Sequence, residues 1–188
     1  TFVLEFEKKA PFFSSKTLKR SFIENELSQD YRAISEGTKD YILKSGFQKV
    51  LIGLSGGIDS ALVATIAVDI LGKENVCCVR LPSQYTSKLS LIDATKLARN
   101  LNCEIKTIPI SKIYDLTKDT LLPFFNRKKE DETEENIQSR IRGLILMAMS
   151  NKSKSLLLTT GNKSEIAVGY STIYGDMCGG YNPIKDVY

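Results

Sequence analysis

The chain has 188 residues, of which 42% are hydrophobic and 26% charged, with a formal net charge of +4. That length allows one domain with a sizeable core, and the balance is a globular one, not that of a disordered or membrane chain. The longest apolar stretches, Leu62–Val68 and Ile141–Met149, are too short or too interrupted to span a bilayer, and the opening residues lack the basic-then-apolar pattern of an export signal.

The mild positive charge suits an anionic ligand. Nucleic-acid binding calls for a clustered basic stripe, whereas Arg127-Lys128-Lys129 runs straight into Glu130, Asp131, Glu132, Glu134 and Glu135. That stretch reads as a solvated loop. Cys77, Cys78, Cys103 and Cys178 form no C-x-x-C pair and the chain has no histidine. This excludes a zinc site and Ser-His or Cys-His catalysis. Cys77 and Cys78 sit in an apolar run as small hydrophobes, and the usage suggests a reducing, cytoplasmic setting.

Residues 1–20 read as a lead-in. Phe2, Leu4 and Phe6 alternate like a short strand, and Pro11, Ser14 and Ser15 read as a linker. A polar helix is predicted from about Phe22 to Lys44, ending at Gly46. Lys49–Leu54 is a buried strand by composition. Asp59–Leu71 has helical spacing of Leu62, Ile66 and Ile70 and stops at Gly72. Val76–Leu81 is the next strand, closed by Pro82. Ser90–Leu101 is an amphipathic helix, Glu104–Ile108 a third strand, and Lys112–Phe125 and Glu134–Met149 further helices. Ser155–Thr159 is a fourth strand. Apolar strands alternating with helices imply an α/β, Rossmann-like fold, a parallel sheet with helices on both faces. Ligands of such sheets sit at the carboxyl ends of the strands.

Just beyond the strand Lys49–Leu54 the chain reads Ser55-Gly56-Gly57-Ile58-Asp59-Ser60 and enters a helix. Paired glycines let backbone approach a bulky anion, and amides at a helix start favour negative charge. Asp59 would repel a phosphate unless a magnesium ion lies between them. The loop therefore reads as a site for pyrophosphate plus metal. It is neither a Walker A loop nor G-x-G-x-x-G.

S-G-G-x-D-S after a strand resembles the pyrophosphate-binding loop of the ATP-pyrophosphatase (adenine nucleotide alpha hydrolase-like) superfamily, whose members cleave ATP to AMP and pyrophosphate. Four stretches narrow the resemblance to the synthetase domain of glutamine-dependent NAD synthetases. They are RAISEGTKDYILKSGFQKVLIGLSGGIDSALVA, RLPSQYTS (Arg80–Ser87), ENIQSRIRGLILMAMS (Glu135–Ser150) and TGNKSEIAVGYSTIYGD (Thr160–Asp176). The resemblance covers roughly residues 22–188.

It implies ATP-dependent amidation of deamido-NAD to NAD through an adenylated intermediate, a ligase reaction. Ammonia would come from glutamine hydrolysed in a separate domain lying before Thr1, with residues 1–20 its tail and linker. Gly53, Leu54, Ser55, Gly56, Gly57, Ile58, Asp59 and Ser60, with Arg80 and Thr160, would bind ATP. Asp59 and Glu165 would hold Mg2+ and serve catalysis. Asn136, Arg140, Glu165, Tyr170, Ser171, Thr172 and Ile173 would contact deamido-NAD. The family pattern continues past Tyr188, so the domain is expected to be incomplete at that end. Ile173 and Gly180 depart from the ammonia-dependent relatives, which carry lysine and aspartate there. The family also implies a homo-oligomer with the substrate site at a dimer interface, and no nucleic-acid or membrane partner. Another adenylating enzyme, such as a tRNA-modifying one, is the rival.

Taken singly, the same residues have plainer readings. Arg140 and Arg142 could be surface helix charges, Asn136 a helix cap, Glu165 an ordinary helix acid, and Tyr170 and Tyr174 core packing.

Overall fold

The computed structural model describes residues 2–5, 14–17, 25–125 and 129–188. Phe6, Pro11, Phe22, Arg127 and Lys128 lie outside them. The chain divides into Thr1–Arg32 and Ala33–Tyr188. In the first, β1 (Phe2–Glu5) pairs antiparallel with β2 (Ser14–Thr17). Ser14 and Ser15, read above as linker, therefore open a strand, because a partner across the hairpin satisfies backbone groups that local composition leaves open.

In order come α1 (Glu26–Lys44), β3 (Val50–Gly53), α2 (Ile58–Leu71), β4 (Val76–Arg80), α3 (Lys88–Leu101) and β5 (Glu104–Thr107). Then follow α4 (Ser111–Leu121), α5 (Glu132–Ser153), β6 (Leu156–Leu158) and α6 (Lys163–Ala167). Strands β3 to β6 form one parallel sheet in the order β5-β4-β3-β6. The chain steps outward from β3 to β5, then crosses back to lay β6 on the other side of β3. Right-handed crossovers in opposite directions put α2 and α3 on one face and α4 and α5 on the other. The point where the order reverses lies between β3 and β6.

The strands read as apolar runs because both faces are covered. Leu51, Val79 and Leu157 pack under α4 and α5 with Ile110, Tyr114, Ile137 and Ile141. Val50, Ile52 and Cys78, one residue out of phase, are buried to 0% exposure. Cys78 is thus the small core hydrophobe expected, and burial pushes its thiol well above the usual range. The edge strand β5 is instead exposed and pairs Glu104 with Lys106 at 3.3 Å. Edge charges of this kind discourage pairing with another chain.

The elements differ from their predicted bounds in instructive ways. Helix α2 buries Val63, Ala64, Ile66 and Ala67, not the narrower stripe of Leu62, Ile66 and Ile70. It is apolar nearly all round because it lies against the sheet and also touches α3. Helix α4 stops at Leu121, and Pro123 turns the next residues into a 3-10 helix, Leu122–Phe124. Helix α5 starts earlier, at Glu132. Asp131 caps it, and its backbone N–H donates to Glu134 Oε2 at 2.8 Å. The acidic run is therefore a helix start rather than a loop, and its charges suit the helix dipole there. None of the described helices is long and apolar enough to cross a membrane.

Candidate active site

Strand β3 ends at Gly53, and Leu54 extends the ladder by donating to Val79 O at 2.8 Å. The chain then turns through Gly56, whose φ of +92° lies in the left-handed region. The turn is braced from within. Ser60 Oγ donates to Gly57 O (3.0 Å), Ser55 Oγ meets Ser60 Oγ (3.0 Å), and Gly57 N donates to Ser55 Oγ (3.1 Å). Two of the predicted ATP-binding positions thus face inward, Leu54 at 4% and Ser60 at 2% exposure. Their side chains shape the loop, because a turn this tight must satisfy its own polar groups.

Helix α2 opens at Gly57 without a side-chain cap, as α4 does at Ile110, whereas α3, α5 and α6 are capped by Ser87, Asp131 and Asn162. The first-turn amides of α2 are thus left to a ligand or solvent, beside exposed Ser55, Gly57 and Ile58.

Two cavities meet at this loop. The larger, about 610 Å³, runs from Gly53–Ser55 past Arg80, Leu81 and Pro82 to α5, Tyr170, Ser171 and Thr172. The smaller, about 430 Å³, is lined by Asp59, Ser60, Gly161, Glu165 and Lys185. Ser55, Thr159, Thr160, Tyr170, Ser171 and Asp176 line both. Thr160 therefore stands across the switch point from the loop, where the sheet rule puts a ligand.

Beside the smaller cavity Asn162 joins the two carboxylates expected to hold metal. Its Nδ2 donates to Asp59 Oδ1 at 3.1 Å, and its backbone N–H to Glu165 Oε2 at 3.0 Å. Glu165 is thus a helix-capping acid as well as a cavity residue. Each carboxylate keeps its other oxygen without a protein donor among the described residues. Two carboxylates with one oxygen apiece fit magnesium, which keeps several waters and binds few protein ligands besides phosphate. No group of three or more His, Cys, Asp or Glu side chains suited to holding a metal ion occurs among the described residues.

The segment 170–176 is held against α5. Thr172 Oγ1 donates to Asn136 Oδ1 (2.7 Å), Arg140 Nε to Ile173 O (3.3 Å), and Asp176 N to Ser139 Oγ (2.9 Å). Asn136 is therefore no helix cap. Tyr170 and Tyr174 are 69% and 78% exposed, so neither is core packing. Gly143 is what lets the two backbones approach. A Cβ there would lie 2.8 Å from Tyr174 O and 2.9 Å from Gly175 O. We expect Gly143→Ala to loosen this segment. Overpacking costs about 1–3 kcal/mol and exceeds the gain of about 1 kcal/mol from helix propensity. Amide exchange at Thr172 and Asp176 should speed up, and unchanged exchange would refute the clamp.

Helix α5 lines the larger cavity with Glu132, Glu135, Asn136, Ser139, Arg142, Gly143 and Leu146, at three- and four-residue spacing. Arg140 and Ile173, both expected at the dinucleotide, line neither cavity. At 100° per residue Arg140 falls beside this stripe, where its Nε donates to Ile173 O. Arg142, set aside in sequence as a surface charge, falls within it. Starting the helical stripe from Asn136 and Ser139 would have found it.

Arg80 lines the same cavity, but all three of its guanidinium nitrogens serve protein oxygens. Nε and one terminal nitrogen reach Thr107 Oγ1 at 3.2 and 2.7 Å, and the other reaches Leu91 O (3.0 Å) and Thr95 Oγ1. It ties β4 to β5 and α3.

The sequence profile of the NAD synthase family matches residues 30–188. The glutamine-dependent NAD(+) synthetase of Rhodobacter capsulatus is 59% identical over 163 residues, covering 87% of this chain and 30% of that protein. Among solved structures, glutamine-dependent NAD+ synthetase from Acinetobacter baumannii, in complex with ADP, superposes with a TM-score of 0.89. It is 45% identical, over 93% of this chain and 33% of the other. The NH3-dependent NAD synthetase from Campylobacter jejuni, in complex with nitrate, gives 0.79 at 36% identity, over 88% and 69%. The chain thus spans about a third of the length of the glutamine-dependent relatives. The fold is the adenine nucleotide alpha hydrolase-like one of these synthetases.

Proposed function

The chain belongs to the NAD synthase family, and on that premise we propose that it carries the ATP-dependent amidation of deamido-NAD to NAD. The observation that carries this reading is the uncapped start of α2 behind Gly56-Gly57, opening on cavities that also hold Asp59, Glu165 and Thr160. An anion-seeking backbone beside two carboxylates makes chemical sense when a cation accompanies the anion.

The nicotinate carboxylate attacks the α-phosphorus of ATP, and pyrophosphate leaves. Ammonia then attacks the acyl carbon of the adenylate, a proton is lost, and AMP departs. A bare carboxylate cannot react this way, since its leaving group would be oxide. The chain's part is positioning and charge compensation. The amides of the 53–60 loop and Thr160 would hold the phosphates of ATP, with Arg80 beside them. Asp59 and Glu165 would hold magnesium, which when bound neutralises charge on the phosphates. Asn136, Tyr170, Ser171 and Thr172 would bound the dinucleotide, while Arg140 and Ile173 hold the 170–176 segment in place.

Ammonia would come from glutamine hydrolysed in a separate domain, in keeping with the glutamine-dependent relatives. A cytoplasmic setting fits the four free thiols. The exposed apolar side chains Val168, Ile173, Tyr174 and Met177 support a homo-oligomer whose interface adjoins the site. The test is incubation of the complete protein with ATP, magnesium, deamido-NAD and ammonia. NAD, AMP and pyrophosphate should form in equal amounts, and formation of ADP or no NAD would overturn the reading.

A further inference from the structure

We propose that Arg142 is an oxyanion-binding residue of the larger cavity, a two-pronged receptor for a ligand phosphate or carboxylate. The inference rests on the functional reading above for the identity of that ligand. Three observations carry it. The side chain lines the cavity alongside Gly53–Ser55 and Leu81. Its Nε donates to Leu81 O at 3.1 Å, which fixes the guanidinium to the end of β4, one residue beyond Arg80. Its two terminal nitrogens, with four N–H groups, meet no protein acceptor among the described residues, and no carboxylate lies within 4.0 Å of it.

The contrast with its neighbours is what singles it out. Arg80 spends all three nitrogens on protein oxygens, and Arg140 is exposed and outside the cavity. Arg142 alone of the three is half-buried in the cavity with most of its donors unspent. Burial without a compensating carboxylate pulls its pKa down from the usual value. A partly desolvated cation with unused planar donors is best completed by a bidentate oxyanion. Glu132, Glu135 and Asp176 also line the cavity but stay beyond ion-pair distance, so they leave that place to a ligand.

The decisive variant is Arg142→Gln. The amide nitrogen of glutamine is bonded to Cδ as Nε is in arginine, so it can keep the bond to Leu81 O while the anion fork is lost. Binding to wild type and variant is measured by calorimetry with ATP, pyrophosphate, deamido-NAD and NAD as probes. The loss of charge-assisted bonds predicts affinity about ten- to a hundredfold weaker for the cognate anion. Weakening confined to ATP and pyrophosphate identifies a phosphate of ATP. Weakening for deamido-NAD but not for NAD, its amide, identifies the nicotinate carboxylate. Wild-type affinities for all four probes in Arg142→Gln overturn the proposal and leave Arg142 a mere brace for Leu81. If wild type binds neither ATP nor deamido-NAD, the functional reading fails instead. Thermal stabilisation by sulfate then decides the anion site: it survives if sulfate raises the melting temperature of wild type and not of the variant. It falls if sulfate acts on both alike or on neither.

Discussion

Gly56→Ala should remove ATP binding and destabilise the fold by about 2–6 kcal/mol, the sum of backbone strain and overpacking. Two independent penalties meet at this residue. Its φ of +92° is one that an L side chain rarely adopts. A Cβ would also lie 2.3 Å from Ser90 O and 2.9 Å from Ser90 C and Cα. Those atoms are backbone in the first turn of α3, anchored by the Ser87 cap through Ser90 N at 3.0 Å. The side chain cannot swing away, so either α3 or the loop must shift. A shifted loop loses the mutual bonds of Ser55, Gly57 and Ser60 that set its shape. Chemical denaturation and calorimetric ATP titration check both halves. Wild-type stability and ATP affinity in the variant would contradict this account of the loop.

Asp59→Asn tests the chemistry without disturbing the shape. Asn is nearly isosteric, and its Oδ1 can still accept from Asn162 Nδ2, the bond that now measures 3.1 Å. The fold and the contact between α2 and the cap of α6 should therefore survive, with a melting temperature close to wild type. The charge needed to hold a cation against phosphate is lost. Metal assistance is worth several kcal/mol in a transition state, so turnover should fall by about a thousandfold or more. Magnesium-independent nucleotide binding should change far less, because the α2 amides are untouched. Steady-state NAD formation, with binding measured with and without magnesium, checks this. Turnover within tenfold of wild type would show that Asp59 does not serve the reaction.

Much of this architecture was legible in the residues alone. Strands β3, β4 and β6 were visible as largely apolar runs, since burial on both faces leaves little polar alternation to confuse the pattern, whereas the exposed edge strand β5 mixes Glu104 and Lys106 with Ile105. The S-G-G-x-D-S loop was legible for a different reason. Its function depends on backbone conformation and on consecutive amides, properties that local sequence specifies directly. The caps at Asp131 and Asn162 are equally local, each closing a box with a Glu three residues on, although the acidic run around Asp131 reads in sequence as a loop.

What sequence left open was the direction in which side chains point once elements pack. Arg140 and Arg142 are two residues apart on one helix, and helical spacing puts them on different faces without saying what each face meets. The position of α5 against β3, β6 and the 170–176 segment decided it, sending Arg140 to Ile173 O and Arg142 to Leu81 O. Gly143, in mid-helix, takes its reason from the backbone of Tyr174 and Gly175, which lies against it. Arg80, expected at ATP, has its donors taken up by oxygens of α3 and β5. Asp59 and Glu165 are 106 residues apart in sequence, and Asn162 bonds to both. The sequence by itself determined the parallel α/β fold and a loop suited to phosphate, because both follow from short-range pattern and backbone freedom. Only the tertiary structure decided which side chains share the cavity and which are spent on the protein, because that depends on contacts between residues far apart in the chain.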